Sequence, residues 1–251
     1  MLKPMKKKPS PGPAPAPRFD SAAGTYDSYG GVQREMADWL AEWLPDEKSG
    51  GALELGAGTG FFTRHLLPWP GTLVATDLSP GMVATGRQHY PQIPWRVRDA
   101  GATGEEKFDW IFSCSFLQWS PDPDPLLEAW RQQLRPGGRV LSGFFVDGAL
   151  PALHDLLGKH APLLPRGEKD WIAHFENAGF RIRAIETREH SRSYPSALDL
   201  FRCLHRIGAT GTPRMSVVEL KQLLRTYGQT CRRPDGNVEG TWKYTRVLAE
   251  R

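Results

Sequence analysis

An acid and three alternating glycines stand together in LELGAGTG, residues 53–60: Glu54, then Gly56, Gly58 and Gly60. Glycines at this spacing, directly after an apolar run, let a ligand lie close to the backbone. Asp77 follows seventeen residues past Gly60, at the end of the apolar run GTLVATD, and Asp99 closes PWRVRD. An acid at the first place can accept two hydrogen bonds from a ribose diol. One at the second can accept from an adenine amino group, and Glu54 can orient the loop or meet an ammonium. The loop carries no basic residue for a pyrophosphate, and Phe61 stands where a dinucleotide fingerprint has its third glycine. Together the three acids predict a cationic adenosine ligand without phosphates. Taken singly, the glycines also fit a structural turn, and Asp77, ahead of LSPGM, also fits a helix cap.

No second constellation competes with this one. The seven histidines are scattered, and Cys114, Cys203 and Cys231 form neither a metal nor a disulfide pattern. The expectation is no metal site, and a cytosolic chain with reduced thiols. A hydrophobic fraction of 39% is enough for an ordinary core, and no apolar run reaches the ~20 residues that span a bilayer. The net charge of +4 owes much to lysines in the first eight residues. The remaining excess is too mild for a nucleic-acid stripe, so neither a nucleic-acid nor a membrane partner is expected.

The elements that position these acids read out in order. Residues 1–18 are Pro-rich and basic and predict a disordered tail ahead of one domain, 19–251. GVQREMADWLAEWLP is a helix, with Val32, Met36, Trp39, Leu40 and Trp43 at helical spacing. GALELGAG, GTLVATD, PWRVRDA, FDWIFSCSFLQW and RVLSGFF read as strands, with helices at TGFFTRHLLP, PGMVATGRQHY and PLLEAWRQQLRPGG. Alternation of this kind predicts an α/β fold with a doubly wound parallel sheet. DWIAHFENAGF then reads as a helix, RIRAIETREHSRSY as a strand, SALDLFRCLHRIGA and SVVELKQLLRTY as helices, and GTWKYTRVLAE as a last strand.

LELGAGTG, TDLSPGM, RDA, FDWIFSCS and LRPGG, in this order over about residues 50–145, resemble the class I S-adenosylmethionine-dependent methyltransferases. The resemblance implies a Rossmann-like, mostly parallel seven-stranded sheet with a reversed final hairpin, a helical cap at about 195–230 before the last strand, and S-adenosylmethionine as cofactor. It implies that Gly56, Ala57 and Gly58 pass the methionine part, that Asp77 with Leu78 holds the ribose, that Asp99 with Ala100 holds the adenine, and that Met82 packs on the base. Cys114 and Ser115 would meet the methionine end. Outside this stretch, FDSAAGTYDSYGGVQREMADWL, FLQW, GALPALH, IGATG, MSVVELKQLLRTY and YTRVLAER resemble the biotin-pathway enzymes that methylate malonyl-acyl carrier protein. That family often has Asn where Cys114 stands, and the Pro-rich tail is extra.

The resemblance implies a malonyl thioester, on acyl carrier protein or coenzyme A, as acceptor. Its free carboxyl is already ionised at neutral pH, so positioning replaces a general base. Tyr26 is expected as the lid residue at the reacting centre, with Gln33 and Arg34 reaching the methionine carboxylate. Gln118 and Trp119 are expected on the acceptor side. Arg202, His205 and Arg206 share a helix face suited to an acidic carrier protein. A monomer is expected. A carboxyl methyltransferase for a small free acid of the trans-aconitate type, and a cofactor-binding assembly factor on the same fold, are the alternatives.

Overall fold

A computed structural model describes residues 16–67, 69–158, 166–210 and 215–251. Most of the expected tail (1–15), Pro68 at the end of TGFFTRHLLP and Gly211 at the end of IGATG lie outside the described residues. The last three residues of that tail are not coil: helix α1 spans Ala16–Tyr29. It was not expected. Yet Phe19, Ala22, Ala23 and Tyr26 stand at i, i+3, i+4 and i+7, the pattern of one buried helix face.

After α2 (Gly31–Ala41) come β1 (Ala52–Leu55), α3 (Thr63–Leu66), β2 (Leu73–Asp77), α4 (Pro80–His89), β3 (Trp95–Val97), β4 (Phe108–Cys114), a 3₁₀ turn at Leu117–Trp119, α5 (Pro123–Gln133) and β5 (Leu134–Phe145). Then follow α6 (Pro151–Leu157), α7 (Glu168–Asn177), β6 (Arg181–Tyr194), α8 (Ala197–Arg206), α9 (Val217–Thr230) and β7 (Val238–Glu250). The seven strands lie in the order β3-β2-β1-β4-β5-β7-β6. The first five are parallel, and β7 runs antiparallel to both neighbours. This is the reversed hairpin and the doubly wound sheet expected from the sequence, with α8 and α9 between β6 and β7 as the expected cap.

Three readings need correction. The strand at PWRVRDA stops at Val97, so Asp99 sits in the loop beyond it. The strand at FDWIFSCSFLQW stops at Cys114, and Leu117–Trp119 form a 3₁₀ turn instead. LRPGG does not close α5 but opens β5, with Gly137 at φ +75.

Side chains alternate across the sheet as strand geometry demands. Leu53, Leu55 and Val74 pack with Trp130 of α5 and Trp171 of α7 on one face. Ala52, Ala75 and Phe112 pack with Leu40 of α2, Phe62 and Leu66 on the other. The β6–β7 hairpin pairs as far as Tyr194 and Val238, well past the last β5 partner at Phe145–Tyr244. A third apolar cluster gathers on this overhang, where Trp242, Tyr194 and Val238 meet Leu153 of α6, Leu200 and Leu204 of α8 and Tyr227 of α9. Arg246 of β7 ties α2 to the sheet, stacked over Trp39 at 4.2 Å and Trp43 at 4.3 Å and paired with Glu42 and Glu186.

Candidate active site

The carboxyl ends of β1, β2 and β4 open into a cleft under α1. The turn after β1 needs its glycines. Gly56 has φ +68, and a Cβ there would run into the Phe116 ring at 2.7 Å. Gly58 has φ +59, and a Cβ there would meet nothing within 4 Å, because the backbone faces the open cleft. Asp77, the last residue of β2, accepts the Gly58 N–H on one oxygen and the Ser79 N–H on the other, each at 2.9 Å. It is not the cap of α4: Ser79 is, accepting from Met82 N at 3.1 Å. Burial pushes the Asp77 carboxyl up while the N–H bonds from Ser79, Gly58 and Leu78 hold it down. Each oxygen keeps lone pairs for a diol.

Glu54 is buried, and among the described residues its carboxyl accepts only from the Thr63 hydroxyl, at 2.7 Å. Burial pushes its carboxyl up to about 8, against the pull of that hydrogen bond. A buried carboxylate so short of donors suits a cation. Asp99, exposed at the rim, spends one oxygen on the Gly101 N–H at 2.8 Å. The cleft's one basic lining residue among those described, Arg98, turns its guanidinium to the Ala102 carbonyl and Gln133. Acids at three points and no inward cation fit an adenosyl ligand that is cationic and lacks phosphates.

Of the residues expected to hold that ligand, Tyr26, Gln33, Glu54, Gly56, Ala57, Gly58, Asp77, Leu78, Met82, Asp99, Ala100, Cys114 and Ser115 all line the cleft. Arg34 does not. It lies over the Phe61 ring at 4.9 Å and donates to the Asp27 carbonyl at 3.0 Å. Burial pushes the Cys114 thiol up, so it stays neutral. Phe19, Thr59, Phe61 and Phe116 also line the cleft and were not foreseen.

Beside the cleft lies a second, larger chamber, about 960 Å³ against 130 Å³. Its walls are mostly apolar, with Phe145, Leu153, Leu157, Phe201, Leu223 and Trp242 drawn from β5, α6, α8, α9 and β7. Gln118 and Trp119 line it, as do Arg202, His205 and Arg206 of α8. Cleft and chamber share one wall: Phe19, Tyr26, Gln33, Ser115 and Trp119 border both. Ser115 holds φ +56, an unusual conformation for a residue with a side chain. Its N–H donates to Gly143 O at 2.7 Å and its carbonyl accepts from Gln118 Nε2 at 2.8 Å, which fixes the turn from both sides. Burial pushes the Tyr26 phenol up, so it stands at this wall as a neutral donor.

Helix α1 roofs the cleft and is fastened at both ends. Asp20 accepts the Ser79 hydroxyl at 2.8 Å and the Gly81 N–H at 2.7 Å. Asp27 accepts the Thr59 hydroxyl, and Thr25 donates to the Arg206 carbonyl of α8 at 2.7 Å. Tyr26 rests on Phe61 with ring centres 5.5 Å apart. Among the described residues no cluster of His, Cys, Asp and Glu could hold a metal ion, and no helix is long and apolar enough to cross a membrane.

Residues 53–142 match a family model described as "Methyltransferase domain". The chain is 34% identical over 139 residues to the biotin biosynthesis bifunctional protein BioHC of Cellvibrio japonicus, covering 54% of this chain but only 28% of that longer protein. It is 30% identical over 202 residues to the malonyl-[acyl-carrier protein] O-methyltransferase of Hahella chejuensis, covering 76% of this chain and 72% of that one. The YcgJ protein of Bacillus subtilis has a similar fold, with a TM-score of 0.67 at 14% identity over 86% of this chain and 98% of that one. With the sheet order, the glycine turn and the three acids, these likenesses make the chain a member of the class I S-adenosylmethionine-dependent methyltransferases, within the family of the malonyl-[acyl-carrier protein] O-methyltransferases.

Proposed function

We propose that the protein methylates the free carboxylate of a malonyl thioester carried on acyl carrier protein, an early step of biotin synthesis. The observation that carries this reading is the wall between cleft and chamber: Tyr26, Gln33, Ser115 and Trp119 supply neutral hydrogen-bonding groups and no base. An amine or hydroxyl acceptor would need a base near its proton. A carboxylate, with a pKa of roughly 3.5–4, arrives ionised. S-adenosylmethionine, when bound, supplies a methyl on a cationic sulfur, which keeps the bonding pair as a carboxylate oxygen takes the methyl, so no proton changes hands.

The chain's own work is then to align, to keep water out and to admit the thioester. Asp77 and Asp99 hold the adenosine, and Glu54 faces the cationic end. Apolar walls strengthen the attraction between carboxylate and sulfonium by lowering the local dielectric. Tyr26, on the roof helix, orients the acceptor. The chamber has room for a pantetheine arm, and Arg202, His205 and Arg206 stand at its α8 side, where an acidic carrier surface would dock. The chamber's histidines, His154 and His205, are not part of the shared wall.

Side-by-side assays with malonyl-acyl carrier protein, malonyl-coenzyme A and free malonate test the reading. Turnover is expected to be fastest with the carrier protein, slower with coenzyme A and negligible with malonate. Malonate as the best acceptor would favour the small-acid alternative.

A further inference from the structure

Gln33 is the most deeply buried polar residue of the shared wall, 6% exposed, and borders both cleft and chamber. It sits in the first turn of α2, between Val32 and Met36, which pack into the cluster on the overhanging hairpin. Its carboxamide has no hydrogen-bond partner among the described residues. The amide is not sealed off but opens onto the cavity, where its uncommitted N–H groups can meet a ligand's polar atom. The nearest cation in sequence, Arg34, is turned away onto Phe61 and the Asp27 carbonyl. Gln118 spends its Nε2 on the Ser115 carbonyl and has only its Oε1, an acceptor, without a partner among the described residues.

We propose that Gln33 binds the acceptor carboxylate, its Nε2 donating to one carboxylate oxygen from the chamber side of the wall. The proposal rests on the carboxylate reading above. A neutral amide suits the task better than an arginine. It orients the carboxylate without forming an ion pair that would compete with the sulfonium for its charge. It also favours turnover, because hydrogen bonds to a charged group are stronger than those to a neutral one, so the methyl ester is held less firmly than the acid.

Two variants test this, each with a binding readout beside the kinetics. Gln33→Leu should lower kcat/KM for the malonyl thioester by roughly 10- to 100-fold, while calorimetry shows S-adenosylhomocysteine binding changed less than about twofold. Gln33→Glu should be nearly inactive at pH 8 and recover as pH falls, because the new carboxyl donates a hydrogen bond only when protonated and repels the acceptor when ionised. A merely structural role would give no such recovery. Weakened cofactor binding with an unchanged acceptor KM would assign Gln33 to the cofactor and overturn the proposal, as would wild-type kinetics in both variants. Should the wild type turn over no malonyl thioester, the functional reading fails by itself. Gln33 is then judged by calorimetric titration of malonate and succinate into the S-adenosylhomocysteine-loaded protein. Binding lost in Gln33→Leu supports the carboxylate site; equal binding, or none to the wild type, overturns it.

Discussion

The groups that face the cleft hang on backbone. Gly58 N–H and Ser79 N–H hold Asp77, the glycine conformations shape the turn, and each acid lies within a few residues of a strand end. The chamber next door is built from single side chains of α1, β5, α6, α8, α9 and β7, with no shared local motif. One side is fixed by the sheet, while the other is assembled on a hairpin that overhangs it. The cleft should therefore be stiff and intolerant of change, and the chamber adaptable in its acceptor.

The largest effect should come from the core beneath the cleft. Trp130 is fully buried in α5, and its indole N–H donates to the carbonyl of Ala100, a cleft residue, at 3.0 Å. Trp130→Ala should cost about 3–5 kcal/mol in urea unfolding. Leu220→Ala, in the chamber wall at 40% exposure, should cost less than about 1 kcal/mol. Similar losses at both sites would erase the contrast between a stiff and an adaptable half.

That contrast also decides what was legible in the sequence. Glu54, the glycines and Asp77 fall in one short stretch each, and the strand–turn–strand pattern places them without knowledge of the rest. PWRVR alternates apolar and charged residues and so reads as a strand up to Asp99, yet pairing with β2 stops at Val97. Helix α1 was written in Phe19, Ala22, Ala23 and Tyr26 but followed a proline-rich stretch that reads as coil. Of the chamber, Gln118, Trp119, Arg202, His205 and Arg206 were legible, but its apolar walls gave no signal. Phe145, Leu153, Leu223 and Trp242 are distant in sequence, and each reads as ordinary core until the hairpin brings them together. Arg34 follows Gln33 in sequence, but adjacent residues on a helix face different ways, and only Gln33 reaches the site.

Within the cleft, Asp77→Ala should weaken S-adenosylmethionine binding by ~1.5–3 kcal/mol, the range for hydrogen bonds to a charged group, and leave the acceptor KM nearly unchanged. Calorimetry showing full affinity in a folded variant would remove Asp77 from the ligand.

Glu54 gives the cleft a pH signature of its own. Its folded pKa, about 8, lies above the ordinary 4.5, so the ligand-free protein holds a proton that the unfolded chain has lost. That contribution to stability is complete below about 4.5 and is lost as pH rises through about 8. Unfolding free energy should thus fall across this window, and less so in Glu54→Gln. Cofactor affinity should run the other way. A cation favours the ionised form, so binding should tighten with pH by up to about tenfold per unit, or ~1.4 kcal/mol, and level off above about 8. Affinity that is flat with pH in the wild type would mean that Glu54 does not face the cationic end.

The smallest effect belongs to the outer side of the chamber, where α8 carries the face proposed to dock the carrier protein. Leu200 and Leu204 are buried against the hairpin, so α8 is anchored by its apolar face. Arg202 stands 62% exposed, held among the described residues only by an ion pair to Asp199 at 3.3 Å, a surface contact of little worth. Arg206 lies one turn further along the same helix, and both line the chamber. Charges so placed speed encounter with an acidic carrier protein and are weakened by salt, but do not touch the reacting atoms. Arg202→Glu with Arg206→Glu should therefore slow turnover of malonyl-acyl carrier protein by about five- to tenfold, or ~1–1.4 kcal/mol, in kcat/KM at low salt. The gap should narrow as salt rises. Malonyl-coenzyme A turnover should change much less, because its arm reaches the same wall without a protein surface to dock. S-adenosylhomocysteine binding should not change, since the cofactor lies beyond Gln33 and Ser115. Equal losses on both thioesters would move these arginines from the docking surface to the arm itself. No loss on either would leave α8 a solvated face, and carrier recognition would then have to be sought elsewhere on the chamber rim.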